Sequence, residues 1–185
     1  MSDHQHHGVV RSYSGYVEVS EKMASGMLTL RGDFKSRKFK TSFMKVVGTK
    51  FPKDREVILA TTDVAWMSPD ELLILCDYAD VSTLSQKLQL ELKDQNHMLV
   101  NVSDARALFE VSGSGIREVI AKLAPVNIAT LGIGEIRRTR FSQIAGAFWL
   151  TSETSLSVIC FSSVADYMFN LLKTSSMPNS KVGDF

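Results

Sequence analysis

One stretch of sequence occurs twice in this chain, and this repetition constrains the fold more than any other feature. Residues 65–76 read AWMSPDELLILC, and residues 148–160 read FWLTSETSLSVIC. Each copy begins with a pair of residues that contains a tryptophan, passes through a polar turn and continues into an apolar run that ends in a cysteine. The tryptophans are 83 residues apart and the cysteines 84, so we predict one inserted residue in the turn, where a change of length is best tolerated.

The repeat extends towards the N-terminal side of each copy. Met27–Gly32 and Leu108–Gly113 are each predicted to form a strand that ends in glycine, and an amphipathic helical pattern follows each strand. Pro52 and Pro125 are predicted to end these helices, because proline disfavours helical backbone in the residue before it. The apolar faces of the two helices consist of Phe39, Phe43, Val46 and Val47 and of Ile116, Val119, Ile120 and Leu123.

Three strands and a closing helix are predicted after each proline. The strands are expected at 56–61, 65–67 and 72–76 in the first half and at 134–141, 145–151 and 156–161 in the second. The closing helices carry Leu84, Leu88 and Leu92 in the first half and Val164, Tyr167, Met168, Leu171 and Leu172 in the second. The second closing helix is predicted to begin with a capping box, Ser163-x-x-Asp166. A linking strand, His97–Val102, joins the halves.

The order strand, helix, three strands, helix therefore occurs twice. Strands joined by tight polar turns are expected to pair antiparallel, with the helices on one face of the sheet. The predicted fold class is α+β, with two related β-α-β-β-β-α halves and antiparallel sheets. We predict a globular domain at 26–185 with halves at about 26–95 and 96–174, preceded by a partly flexible tail at 1–25.

Composition excludes several classes of protein. A net charge of +1 argues against a general nucleic-acid binder. No segment approaches the ~18 apolar residues that a membrane span requires, and the polar N-terminus does not resemble a signal peptide. Cys76 and Cys160 lie far apart at the ends of apolar runs, so both are predicted to be reduced core residues. These observations predict a cytoplasmic protein without nucleic-acid or membrane partners.

The sequence offers little catalytic chemistry. The segments 113–118 and 132–137 begin as G-x-G but lack the third glycine of a dinucleotide fingerprint, so both are interpreted as turns. His4, His6 and His7 are possible metal ligands, but they lie in a polar terminus where no structured site is expected. His97 is the only other histidine. We therefore assign no catalytic, cofactor-binding or metal-binding residue to this chain.

Charge is distributed unevenly along the sequence. Residues 31–55 contain nine basic and two acidic residues, a net charge of +7. Residues 70–110 contain eight acidic and three basic residues, a net charge of −5. The basic segment is interpreted either as a solvated helix face or as a surface that docks on an acidic partner or on phosphates.

Several short motifs resemble those of the gamma subunit of heterotetrameric sarcosine oxidase. Residues 66–73 resemble the pattern W-x-G-P-D-E-W-L of that family, and residues 100–106 with 111–113 resemble its D-V-S-D-x-R run and L-S-G turn. Further similar segments are KLAPVN at 122–127, Thr139-Arg140, SVADY at 163–167 and the terminal Asp184-Phe185. The resemblance covers about residues 26–185, and the order and spacing of the motifs carry it.

The resemblance implies the duplicated fold of folate-binding aminomethyltransferases and a non-catalytic role. In such complexes the partner subunits hold FAD, FMN, NAD and tetrahydrofolate and oxidise sarcosine with release of hydrogen peroxide. The gamma subunit is expected to stabilise the assembly by packing mainly on the alpha subunit, alongside the beta and delta subunits. Trp66 and Trp149 are expected to be equivalent core anchors of the two halves. Arg106, Arg117 and Arg140 are expected to be interface anchors, since arginine is enriched at interfaces.

The sequence also departs from the family pattern. Asn101 stands where the family has an acid, and the other departures are Leu123-Ala124 for Gly-Cys, Asn127 for Asp and Ser162 for Arg. These changes indicate a divergent member of this family or of a related amine-oxidising complex. Two alternatives stay open: a free-standing folate-binding aminomethyltransferase-like protein, and a phosphate or nucleic-acid binder that uses residues 31–55.

Overall fold

The computed structural model describes residues 9–23 and 25–183, which belong to two compact units. Unit 1 comprises Met1–Ser25, Asp104–Ile133 and Arg138–Phe185, and unit 2 comprises Gly26–Ser103 and Gly134–Arg137. The helices are α1 (Arg37–Val47), α2 (Val81–Leu92), α3 (Ile116–Leu123) and α4 (Ala165–Ser175). The strands are β1 (Val9–Ser14), β2 (Glu18–Lys22), β3 (Gly26–Gly32), β4 (Val57–Ile58), β5 (Asp63–Ser68), β6 (Glu71–Cys76), β7 (His97–Asn101), β8 (Arg106–Ser112), β9 (Ile136–Phe141), β10 (Ile144–Ser152) and β11 (Ser155–Phe161).

Unit 2 is built on a five-stranded antiparallel sheet in the order β4-β5-β6-β3-β7. The alternate side chains that face α1 and α2 form one apolar core, because successive side chains of a strand point to opposite faces. This core contains Leu28, Leu30, Phe39, Phe43, Val64, Leu72, Ile74, Leu88 and Leu92. The remaining face of the same sheet is buried as well, at Met27, Ala65 and Leu73.

Unit 1 is built on a sheet in the order β1-β2-β8-β11-β10-β9. Helices α3 and α4 contribute to its apolar core together with alternate residues of the strands. The core contains Phe109, Val111, Ile116, Val119, Ile120, Phe148, Leu150, Leu156, Met168 and Leu172. In the part of the chain that the structure describes, no helix is long and apolar enough to cross a membrane.

The predicted β-α-β-β-β-α order is confirmed in both halves, as β3-α1-β4-β5-β6-α2 and β8-α3-β9-β10-β11-α4. The prediction of a tail up to residue 25 is wrong for residues 9–22, which form β1 and β2. Sequence reasoning missed these strands because Val19 is their only buried residue, so no alternating apolar pattern marks them, and β8, the pairing partner of β2, is remote in sequence. Residues 1–8 lie outside the described part.

The two halves exchange their linking strands. β2, which precedes the first half, pairs with β8 of the second half, whereas β7, which precedes the second half, pairs with β3 of the first. The units therefore divide at Ser103/Asp104 rather than near the predicted boundary at 95/96. The linking strand itself is confirmed, at His97–Asn101.

The repeated stretch forms one hairpin in each unit, with the same register. In β5–β6, Trp66 lies opposite Leu72, and a bulge separates this pair from Ser68 opposite Glu71. In β10–β11, the corresponding pairs are Leu150 opposite Leu156 and Ser152 opposite Ser155, with a bulge in the same place. All four positions are offset by 84 residues. The predicted insertion in the turn is therefore wrong.

The two tryptophans are not equivalent. At an offset of 84, the counterpart of Trp66 is Leu150, and that of Trp149 is Ala65. A displacement of one residue moves a side chain to the other face of a sheet. Trp66 accordingly packs, partly buried, against the helix-facing core of unit 2, whereas Trp149 is only 1% exposed and lies outside the helix-facing core of unit 1. The prediction of equivalent core anchors is wrong.

The helices end in different ways. Ser36 caps α1 by accepting a hydrogen bond from the Phe39 amide, and α1 ends at Gly48, whose φ of +77° is left-handed. The predicted stop at Pro52 is therefore wrong, since glycine ends the helix first. The stop at Pro125 is confirmed, because α3 ends at Leu123 and Ala124 is already extended.

The capping box predicted for the second closing helix is not formed. Ser163 lies in a 3₁₀ turn, Ser162–Val164, and the N-cap position of α4 is Val164, without a side-chain cap bond. The Asp166 carboxylate instead accepts a hydrogen bond from the Arg11 guanidinium at 2.6 Å. A long-range ion pair with β1 replaces the local bond that the sequence pattern predicted.

Candidate functional site

Both cysteines are reduced core residues, as predicted. Cys76 and Cys160 are free and buried. Burial raises the pKa of Cys76 to about 11, and Asp80 and Asp77 add to this rise. Burial, with a contribution from Glu21, raises the pKa of Cys160 to about 12. Because the thiolate is the nucleophile, neither side chain is suited to attack a substrate at neutral pH.

Among the described residues, the one histidine, His97, has a local structural role. The His97 Nδ1 lies 2.8 Å from the carbonyl oxygen of Gln95, so the ring closes the turn that leads into β7. His4, His6 and His7 lie outside the described residues. Within residues 9–23 and 25–183, no three His, Cys, Asp or Glu side chains are grouped as metal ligands.

The two glycine-rich segments are turns, as predicted. Gly113 has a φ of +130° and links β8 to α3, and its amide donates to the Thr154 carbonyl at 2.8 Å. Gly134 has a φ of +73°, and its carbonyl accepts a hydrogen bond from the Val57 amide at 2.7 Å. Both glycines allow the chain to turn, and each makes a backbone hydrogen bond to a remote segment of the same unit.

Asn101, which stands at the family's acidic position, has a local structural role. Its Oδ1 accepts hydrogen bonds from the Ser103 amide at 3.0 Å and from the Ser103 hydroxyl at 2.6 Å. The Ser103 Oγ in turn accepts a hydrogen bond from the Met27 amide at 2.9 Å, and Ser103 is buried. The Asn-Val-Ser segment thus fastens the end of β7 to the start of β3.

A connected cluster of polar side chains lies in unit 1, around α3. Glu118 is only 3% exposed, and its Oε1 pairs with the Lys122 Nζ at 2.7 Å, one helical turn away. Lys122 also donates to the Tyr16 hydroxyl at 2.9 Å. The Tyr16 hydroxyl donates to the Ser175 carbonyl at 2.9 Å and lies 3.3 Å from the Glu118 Oε1.

This cluster holds the C-terminal segment. The Glu118 carboxylate accepts hydrogen bonds from two successive backbone amides, Val182 at 2.7 Å and Gly183 at 3.0 Å. Lys122 donates to the Ser180 carbonyl at 2.6 Å. The terminal Asp184-Phe185, which resembles the family's ending, follows directly but lies outside the described residues.

The electrostatics match this structural role. The hydrogen bond from Lys122, followed by that from the Val182 amide, lowers the pKa of Glu118 to about 2. Burial alone lowers the pKa of Lys122, but hydrogen bonds to Glu118 and Tyr16 outweigh it, and the net pKa is raised. Burial raises the pKa of Tyr16. A carboxylate that stays ionised and a lysine that stays protonated suit an anchor rather than a general acid or base near neutral pH.

The three arginines expected at interfaces differ in their surroundings. Arg117 is engaged within unit 1, where it donates to the Leu131 carbonyl at 3.1 Å and also to the Ile128 carbonyl. Arg106 lies over the Phe161 ring, with 4.2 Å from its guanidinium carbon to the ring centroid. Arg140 is exposed and reaches Gln143 at 3.4 Å. An interface role stays a prediction for all three.

The basic segment lies on and around α1 in unit 2. Lys45 pairs with Glu91 at 2.8 Å and Lys50 with Glu56 at 2.6 Å, so part of its charge is balanced within the unit. Lys35, Arg37 and Lys38 are exposed at the start of α1. The expected docking surface for acidic groups stays a prediction.

The fold defines the class of protein first. The structure superposes on a chain of the heterotetrameric sarcosine oxidase from Corynebacterium sp. U-96 with a TM-score of 0.83 and 21% identity, covering 94% of this chain and 91% of that one. It also superposes on the glycine cleavage system aminomethyltransferase T from Bartonella henselae with a TM-score of 0.61 and 10% identity, over 82% of this chain and 44% of that one. The chain therefore has the aminomethyltransferase-like fold expected from the resemblance.

The family follows from the sequence. Residues 31–178 match the sarcosine oxidase, gamma subunit family, so the chain belongs to that family. A curated relative, sarcosine oxidase subunit gamma of Corynebacterium sp. (strain P-1), is 25% identical over 133 residues. That match covers 69% of this chain and spans 64% of the length of the relative.

Proposed function

We propose that this chain is the gamma subunit of a heterotetrameric sarcosine oxidase, or of a closely related amine-oxidising complex, and that it stabilises the subunits that carry out the oxidation. The match to the gamma subunit family over residues 31–178 is the observation that carries this proposal. The partner is the alpha subunit, with the beta and delta subunits in the same assembly.

The surroundings of the ionisable residues support an accessory role. Burial keeps the thiols of Cys76 and Cys160 protonated. Glu118 and Lys122 are engaged in holding the C-terminal segment, and Asn101 is engaged in a turn. In this proposal, FAD, FMN, NAD and tetrahydrofolate bind to the partner subunits, and this chain contributes no residue to the chemistry.

Co-expression of the tagged chain with the alpha, beta and delta subunits from the same source tests the proposal. We expect a yellow complex in gel filtration that oxidises sarcosine with release of hydrogen peroxide. Omission of this chain should reduce the yield or the thermal stability of the complex. A chain that elutes alone and colourless, with an intact oxidase formed from the other three subunits, would overturn the proposal.

A folate titration of the isolated chain tests the open alternative of a free-standing folate-binding protein. That alternative requires an acid for the pterin, and Asn101 occupies the corresponding place. We expect no saturable change in intrinsic fluorescence with tetrahydrofolate. Saturable binding, together with failure to join the oxidase subunits, would favour the alternative.

A further inference from the structure

The two exchanged strands, β2 and β7, occupy equivalent places in their sheets. Val19 of β2 lies opposite Val111 of β8, and Leu99 of β7 lies opposite Leu30 of β3. Val111 and Leu30 in turn lie opposite Leu156 and Leu72, which correspond at the offset of 84. The duplication therefore relates Val19 to Leu99 and each neighbour of Val19 to a neighbour of Leu99.

The outer edges of these two strands differ. In unit 1, β1 covers β2 as an antiparallel strand, with Tyr13 opposite Val19. Tyr13 packs against the helix-facing core, and Val19 is fully buried. In unit 2, β7 is the terminal strand of the sheet among the described residues, and Leu99 is only partly buried against its core. The place that β1 fills in one unit has no counterpart in the described part of the other.

The side chains at this edge are apolar where an open edge favours polar ones. Met98 and Val100 are 46% and 43% exposed, and both lie on the sheet face opposite to Leu99. Their counterparts on the covered strand are Glu18 and Ser20. Exposed sheet edges are normally protected by charged residues, proline or bulges, because unpaired backbone groups and apolar side chains invite pairing with another chain.

We propose that β7 is a docking edge that accepts one antiparallel strand from the alpha subunit of the oxidase. The arrangement of β1 on β2 is the template for this strand. It predicts a segment of about six residues with a bulky apolar side chain opposite Leu99, in the place of Tyr13, and with apolar side chains opposite Met98 and Val100. Strand addition combines backbone hydrogen bonds with side-chain contacts that give specificity. The inference rests on the proposed function, since it names the partner's contact.

Two lysines at the edge test this inference. The double variant Met98→Lys, Val100→Lys places charges on exposed positions, so the unit is expected to fold, which circular dichroism and thermal melting check. We expect this variant to bind the other oxidase subunits at least about 100-fold more weakly. Leu90→Lys is the matched control, because Leu90 is 70% exposed on α2 of the same unit. The control should bind as the unchanged chain does.

Hydrogen–deuterium exchange of the unchanged chain gives a second test that needs no substitution. The amides of residues 97–101 that point away from β3 should exchange at least tenfold more slowly in the complex than in the isolated chain, because the amides that point towards β3 are already bonded within the sheet. If the chain joins the complex but these amides are not protected and the double variant binds normally, the docking edge is wrong while the proposed function stands. If the chain does not join the complex, the proposed function itself fails. A dimer of the isolated chain that the double variant dissociates, with unchanged binding to the other subunits, would assign the edge to a second copy and overturn the inference.

Discussion

The hairpins β5–β6 and β10–β11 have the same register, the same bulge and the same turn length, yet their tryptophans lie on opposite faces. Trp66 lies on the face that packs against helices, where its counterpart is Leu150. Trp149 lies on the other face, where its counterpart is Ala65. The two hairpins therefore share their backbone pairing and the positions of their apolar residues. The two tryptophans are nevertheless not equivalent, because they are displaced by one residue relative to this shared register.

The largest expected effect on stability comes from removing the two tryptophan side chains one at a time. Trp149→Ala should lower the free energy of unfolding by about 3–5 kcal/mol, because it removes the largest fully buried side chain. Trp66→Ala should cost clearly less, since Trp66 is only partly buried. Urea unfolding of both variants measures the difference. Equal losses would contradict the assignment of the two side chains to different environments.

The next largest effect is expected when the contacts that hold the C-terminal segment of unit 1 are weakened. Glu118→Gln should weaken the hold on Val182 and Gly183, so the amides of residues 179–183 should exchange several-fold faster and the melting temperature should fall. Glu153→Gln is the control, because Glu153 is exposed on the same unit. Its carboxylate lies 3.8 Å from the Arg117 guanidinium, which is a weak contact. Unchanged exchange in the Glu118 variant would show that the segment is held by other contacts.

The same carboxylate predicts a pH dependence. Its folded pKa of about 2 lies below the ordinary value of 4.5, so its contribution to stability is complete above about pH 4.5 and is lost as the pH falls towards 2. The unchanged chain should therefore lose more stability than Glu118→Gln between pH 5 and pH 2. Thermal melts of both proteins across this range test the sign. Parallel curves would exclude Glu118 as a source of acid sensitivity.

The two ways of ending a helix predict a smaller difference. Gly48→Ala should cost about 1 kcal/mol, because alanine is strained at the φ of +77° that ends α1. Pro52→Ala should leave the length of α1 unchanged, since the helix has already ended at Gly48. Urea unfolding and helical circular dichroism measure both variants. A longer helix in the proline variant would restore Pro52 as the stop signal.

The smallest effect is expected at an exposed ion pair. Lys45→Ala removes the contact with Glu91, and the lysine side chain is 69% exposed. Exposed pairs contribute about 0–1 kcal/mol, and salt screens them. Urea unfolding at low and high salt should therefore show a small loss that disappears at high salt. A loss that persists at high salt would indicate a packing role for the lysine stem.

Much of the fold was predictable from local patterns. The helical faces around Phe39 and Ile116, the chain reversal at Gly113 and the repeated strand order follow from spacing alone, because the periods of helices and strands are written into neighbouring positions. The polar cluster was not predictable, since Tyr16, Glu118 and Ser175 are far apart in sequence and none of them stands in a recognisable motif. Glu118 and Lys122 lie one helical turn apart on the polar side of the α3 pattern, and such a pair is ordinary on an exposed helix face, so neither residue marked a buried cluster.

The sequence by itself determined the duplicated α+β architecture, the family and the buried state of the two cysteines, because each depends on residue types at short and regular spacing. Tertiary structure alone decided that β2 and β7 exchange places, that Trp149 faces away from the helices, and that Glu118 holds the C-terminal segment. These features depend on which remote strands pair and in which register. Local propensity does not encode that choice, since burial and long-range hydrogen bonding select it only when the whole chain packs.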